Sequence, residues 1–160
     1  MKITLDITQP DLEKLIAPAM IRRLLYIYAD AVDIDLFSCG SATCKSHSTN
    51  RGLEPDESFC IGDRKQFPDL AIEVTVTSGG INKLEIYQGL QIPEVWFYQR
   101  DRFSLYRIKQ DGSGYQEISQ SQIFPNLDLN LMAQYIRPDR EPEMVRAWRK
   151  LINTPFPPKN

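Results

Sequence analysis

Long apolar runs are missing from the sequence: nothing in its 160 residues reaches the length needed to span a bilayer. The opening Met1-Lys-Ile-Thr-Leu-Asp6 also lacks the apolar core of a signal peptide, so the expected location is cytoplasmic. Cysteine is scarce and odd in number, with only Cys39, Cys44 and Cys60, which argues against a secreted disulfide framework. Histidine is scarcer still, with His47 alone. Cys39, Cys44, His47 and Cys60 are the residues from which a zinc site would have to be built. Their C-x4-C-x2-H start is loose, and His47 sits in the polar run Ser46-His-Ser-Thr-Asn50. Idle thiols in a reducing compartment are the expectation. An excess of basic charge is missing too: 19 Lys and Arg face 21 Asp and Glu, a net charge of −2. That is not the profile of a chain coated in cations for non-specific DNA binding. It leaves a nucleic-acid substrate open, because clustered carboxylates offset local basic patches.

What remains is ordinary globular composition, 42% hydrophobic and 25% charged, without internal repeats or low-complexity stretches. One domain over residues 1–153 with a tail at 154–160 is the expected organisation. From Asp11 to Ala31 the apolar residues follow a helical period, with Ile21, Leu24, Leu25 and Tyr28 on one stripe. Pro18 predicts a break or kink into two pieces. Short strands are expected over Ile34–Cys39, over Ala42–Ser48 and from about Pro55 to Ile61. The β-branched run Asp69–Thr77 has the character of a central strand covered on both faces. A helix over Ile81–Leu90 then leads to a hairpin, Glu94–Gln99 and Phe103–Ile108, turning at Arg100-Asp101-Arg102. A further strand is expected from Tyr115, and helices over Leu129–Ile136 and Glu141–Ile152. The helix between the Asp69 and Glu94 strands allows those two to be parallel neighbours. The fold class is α/β, with a mixed sheet flanked by helices.

Glu73 lies in the middle of the most apolar of these strands, where an ionised carboxylate is costly unless it is paired or binds a metal. Asp69 is not its partner at a shared ion: residues four apart on a strand lie about 13 Å apart. Oxygen ligands of one magnesium sit only ~2.1 Å from it. Asp69 reads instead as a strand-entry residue. Asp56 opens the preceding apolar strand, and antiparallel pairing around the Gly62–Phe67 loop would bring it beside Glu73. Lys83, in the first turn of the next helix, has a stem long enough to reach the same strand end. Two carboxylates and an ammonium in that arrangement form either a site for metal-assisted phosphodiester hydrolysis or a satisfied ion-pair network.

The segments Glu54-Pro-Asp-Glu-Ser-Phe59, Pro68-Asp-Leu-Ala-Ile-Glu-Val74, Lys83-Leu-Glu-Ile-Tyr87 and Pro93-Glu-Val-Trp96, in that order and spacing, resemble the Uma family of restriction endonucleases. That family lies within the PD-(D/E)xK nuclease superfamily. The resemblance runs from about residue 51 to residue 108 and more loosely over the rest. It implies a restriction-endonuclease-like fold and a DNA-cleaving activity that uses Mg2+ or Mn2+. It also implies that Asp56 and Glu73 are metal ligands, aided by a backbone carbonyl near Val74 or Thr75, and that Lys83 positions the attacking water. The motif lysine two residues after the glutamate is replaced by Thr75, and Lys83 matches the migrated position on the following helix. The chain also has Thr77-Ser-Gly-Gly80 where the family often has Ser-Pro-Ser. Glu13 is the one candidate for the first-helix glutamate of many superfamily members. Tyr87 and Trp96 fall on family positions and are expected to pack in the core. Arg22, Arg23, Lys45, Arg51, Arg64 and Lys65 are candidate phosphate contacts or simply a solvated face. A homodimer is expected, since cutting both strands with one site per chain favours two-fold pairing. The alternative is a catalytically inactive interaction module on the nuclease fold.

Overall fold

The apolar stripe of the first helix determines how the sheet is covered. In the computed structural model, which describes residues 9–40, 43–46, 51–75 and 83–155, helix α1 runs from Gln9 to Ala31 in one piece, with Pro18 inside it. This corrects the expected break at Pro18. Ala17, Met20, Ile21, Leu24 and Leu25 are all fully buried. Burying a large aliphatic side chain is worth about 1.5–3 kcal/mol, so the stripe as a whole outweighs the roughly 3 kcal/mol penalty of an interior proline.

Three short strands follow, β1 (Leu36–Ser38), β2 (Cys44–Ser46) and β3 (Arg51–Leu53), then β4 (Glu57–Ile61) and β5 (Leu70–Val74). Helix α2 (Lys83–Gly89) leads to β6 (Glu94–Gln99), β7 (Arg102–Ile108) and β8 (Tyr115–Ile118). The chain ends in α3 (Leu129–Ala133), a single 3₁₀ turn at Pro138–Arg140, and α4 (Glu141–Ile152). Strands β2 and β3 pair with each other; the other six form one sheet in the order β1-β4-β5-β6-β7-β8. Among the described strands only β5 and β6 run parallel, joined through α2, as a crossover requires. The fold is α/β, a mixed sheet flanked by helices, consistent with the restriction-endonuclease-like class. Among the described residues no helix is long and apolar enough to cross a membrane.

Alternation along β5 and β6 sorts two cores. Leu70, Ile72 and Val74 of β5, with Trp96 and Tyr98 of β6, pack with α1, α3 and α4. Ala71, Val95 and Phe97 pack instead with Tyr87, Leu90 and Ile92 from α2 and the loop after it. All five residues of β5 are buried, as a strand with neighbours on both edges requires. Period-2 geometry then places Glu73 with Ala71, on the α2 side. The β6–β7 hairpin turns through Arg100 and Asp101, with φ of 50° and 61°. Both are left-handed, the mark of the tight turn that matches strand twist. The Asp101 carboxylate, accepting from Tyr98 Oη at 3.2 Å and Arg137 at 3.3 Å, holds the turn without a glycine.

Helix α3 is shorter than the expected Leu129–Ile136. Asp128 caps it by accepting the Leu131 amide at 2.9 Å, and it ends at Ala133. Helix α4 has the expected bounds. Its Trp148 is buried and donates Nε1–H to the Leu24 carbonyl of α1 at 3.0 Å.

Candidate active site

The register of β4 and β5 sets the backbone positions of the two acidic residues opposite each other. Glu57 lies opposite Ile72, Ser58 opposite Ala71 and Phe59 opposite Leu70. One step further along that register, Asp56 falls beside Glu73. The antiparallel pairing expected around the Gly62–Phe67 loop is therefore observed. Asp56 sits just ahead of β4, and its Oδ2 accepts the amide of Val74, the last residue of β5, at 2.8 Å.

Glu73 has no exposed surface. Its Oε2 accepts from Lys83 Nζ at 2.7 Å, and its Oε1 accepts the hydroxyl of Tyr87, one helical turn further along α2. Lys83 and Tyr87, four residues apart, share a helix face and grip the two oxygens of one carboxylate. The buried charge is thus paired and hydrogen-bonded, which is the condition for its tolerance in an apolar layer.

A second lysine, which sequence reasoning missed, comes from the opposite layer. Lys14 of α1 places Nζ 2.7 Å from Asp56 Oδ2 and 2.7 Å from the Val74 carbonyl oxygen. The signal was present: Lys14, Ala17, Ile21, Leu24 and Tyr28 follow one helical period, so this charge extends a buried stripe. Glu13, the first-helix glutamate candidate, does not join the carboxylates. It lines a separate cavity of about 260 Å³ with Tyr98, Arg100, Asp101 and Arg137. There burial, and secondarily the charge of Asp101, raises its pKa above the usual glutamate value.

The remaining candidates have structural partners. Asp69 accepts the Ile61 amide at 2.8 Å and Lys65 Nζ at 2.6 Å, so it closes the β4–β5 connection at the far end of the strand. Trp96 is a core residue whose Nε1–H donates to Glu94 at 2.7 Å. Tyr87 is buried like a core residue, but its hydroxyl serves Glu73. Arg22 lies 3.5 Å from buried Glu57, and Arg23 pairs with Glu141 at 2.8 Å. Burial raises the Glu57 pKa, against the hydrogen bonds of the Ser58 amide and Ser38 and the charge of Arg22. Arg64 donates to the Ser38 carbonyl at 3.2 Å. Cys39 and Cys60 bring their sulfurs within 3.5 Å across β1 and β4. The side chains of Cys44, Lys45 and Arg51, and all of His47 and Thr77–Gly80, lie outside the described residues.

Oxygen is the donor type that a hard divalent cation takes. Asp56, Glu73 and the Val74 carbonyl present oxygens only, and the Asp56 and Val74 oxygens already converge on one cationic nitrogen. Mg2+ binds through one or two carboxylates and keeps several waters. Among the described residues no three His, Cys, Asp or Glu side chains come together.

No curated protein matches the chain. The family model described as "Putative restriction endonuclease", Uma2, matches residues 9–135, from α1 through α3, well beyond the 51–108 stretch that carries the motifs. With more than half of its length matched, and with Lys14, Asp56, Glu73 and Lys83 all inside the match, the chain belongs to the Uma2 family.

Proposed function

We propose that the protein is a metal-dependent endonuclease that hydrolyses DNA phosphodiester bonds at the carboxyl end of β5. The observation that carries this reading is the register-paired Asp56 and Glu73, with Lys83 Nζ 2.7 Å from the latter. Asp56, Glu73 and the Val74 carbonyl would hold Mg2+ or Mn2+, which supplies charge neutralisation at the scissile phosphate. Lys83 is anchored by Glu73 and keeps a third of its side chain exposed. Its ammonium therefore orients a water at the rim and offsets the charge that develops on the phosphate oxygens. Tyr87 fixes the rotamer of Glu73 from behind. The substrate is DNA, the chain works as a homodimer in the cytoplasm, and residues 1–153 form one folded unit.

The test is a calorimetric Mn2+ titration of wild type and Asp56→Asn. Asparagine keeps an oxygen for the Val74 amide but loses the charge. Mn2+ affinity is expected to fall by more than the about 10–100-fold that losing an outer-sphere partner costs. Equal binding by both proteins sinks the site. Tyr87→Phe, which removes one donor to Glu73, is expected to cost about 1–3 kcal/mol in chemical denaturation. It should also lower cleavage by about tenfold, measured as plasmid nicking; full activity would show that the rotamer needs no such clamp.

One observation favours a second reading, an interaction module that no longer cuts. Each carboxylate is already matched by its own lysine, Lys14 for Asp56 and Lys83 for Glu73. Under that reading the same titration shows no Mn2+ binding that depends on Asp56.

A further inference from the structure

Lys14 presents a positive charge where two oxygens converge, and those oxygens are the ones a divalent cation needs. Its Nζ lies 2.7 Å from both Asp56 Oδ2 and the Val74 oxygen. Charged N–H···O bonds require about 2.7–2.9 Å, whereas Mg2+ requires ~2.1 Å to the same kind of oxygen. An ammonium and a divalent ion cannot both occupy that notch.

We propose that Lys14 is a built-in competitor for the divalent cation, a positioning residue that fills the Asp56–Val74 notch and must swing out for the metal to enter. The inference rests on the reading of Asp56, Glu73 and Val74 as a cation site. Charge balance supports it. With Lys14 in place, two ammonium groups offset two carboxylates, so an arriving divalent ion meets a neutral cluster rather than an anionic one. Departure of Lys14 restores the attraction. Exposure supports it as well: the Lys14 side chain is 41% exposed, and the Asp56 it leaves keeps 22% of its side chain exposed and the hydrogen bond from the Val74 amide. Lys83 differs, because its departure would strand Glu73, which is fully buried. Of the two lysines, Lys14 is the one that can yield. It therefore sets the metal concentration at which the site fills.

A merely structural Lys14, tying α1 to the sheet, would change stability but not metal affinity. The experiment titrates Mn2+ into the full chain as wild type, Lys14→Met and Lys14→Arg, read by calorimetry. Removing the competing charge is expected to tighten Mn2+ binding about tenfold or more in Lys14→Met, and Lys14→Arg is expected to stay near wild type. If Lys14→Met binds Mn2+ no more tightly than wild type, the competitor role is overturned while the cation site stands. If neither binds Mn2+, the cation site itself fails and the competitor with it. A second measurement uses wild type alone and does not depend on variant folding. Acylation of Lys14 by an amine-reactive reagent, read by mass spectrometry, should rise when Mn2+ is added. Unchanged labelling at saturating Mn2+ also overturns the proposal.

Discussion

Replacing Glu73 with glutamine is expected to lower nicking of plasmid DNA in Mg2+ or Mn2+ by about 10³-fold or more, the scale of losing one member of a cooperating catalytic set. The protein should stay folded, and the choice of glutamine matters for that reason. Glu73 is fully buried between Lys83 and Tyr87. Alanine would take away the shared acceptor of a buried ion pair and leave a void, a change that costs about 3–5 kcal/mol. Glutamine keeps the shape. Its carbonyl oxygen accepts from Lys83, and its amide donates to the Tyr87 oxygen once that hydroxyl rotates. The expected stability loss is then about 1–3 kcal/mol, visible in a thermal melt as a modest shift. A Glu73→Gln protein that melts cooperatively and still nicks DNA at the wild-type rate would remove Glu73 from the chemistry. A protein that melts early and does not nick would call for Glu73→Asp, which keeps the charge, before any conclusion about mechanism.

The second large effect concerns stability. Trp148→Ala is expected to destabilise the protein by about 3–5 kcal/mol, the cost of deleting a buried large aromatic. Whole domains hold only about 5–15 kcal/mol, so the midpoint of a thermal melt should fall on the order of 10 °C. The reason lies in where α4 sits. Trp148 is 1% exposed, stacks at a tilt 5.2 Å from Tyr135, and donates to the Leu24 carbonyl in α1. The family match stops at residue 135, yet this side chain closes the same core that α1 builds against β5. Trp148→Phe would separate the two contributions, since it gives up the hydrogen bond but keeps most of the volume. If Trp148→Ala costs less than about 1 kcal/mol, the proposed unit over residues 1–153 must end before α4, and truncation after Ile136 should be tolerated.

The skeleton of the sheet was legible because its residues obey simple periods. A continuous apolar, β-branched run identified β5, the Arg100–Asp101 turn identified the β6–β7 hairpin, and the helical stripe identified α4 within its observed bounds. The antiparallel pairing of β4 and β5 around the Gly62–Phe67 loop was expected, whereas the register that sets Asp56 opposite Glu73 had to be assumed. Pro18 misled, because local propensity counts one lost hydrogen bond and not the five fully buried side chains around it. The stripe puts Lys14 on the buried side of α1, but what it reaches was illegible for a different reason. The target includes a main-chain carbonyl that has no signature in the sequence. The hydroxyl of Tyr87 was hidden in the same way, since its ring accounts for its burial and its oxygen leaves no trace in the pattern.

The outer strands of the large sheet, β1 and β8, are only three and four residues long. A rim that short offers few unpaired amides for another chain to add to, and charged residues guard both rims, Asp35 next to β1 and Glu117 on β8. Self-association should therefore proceed through helical surfaces and not by strand addition, and concentrated solutions should resist the cross-β aggregation to which longer, flatter margins are prone.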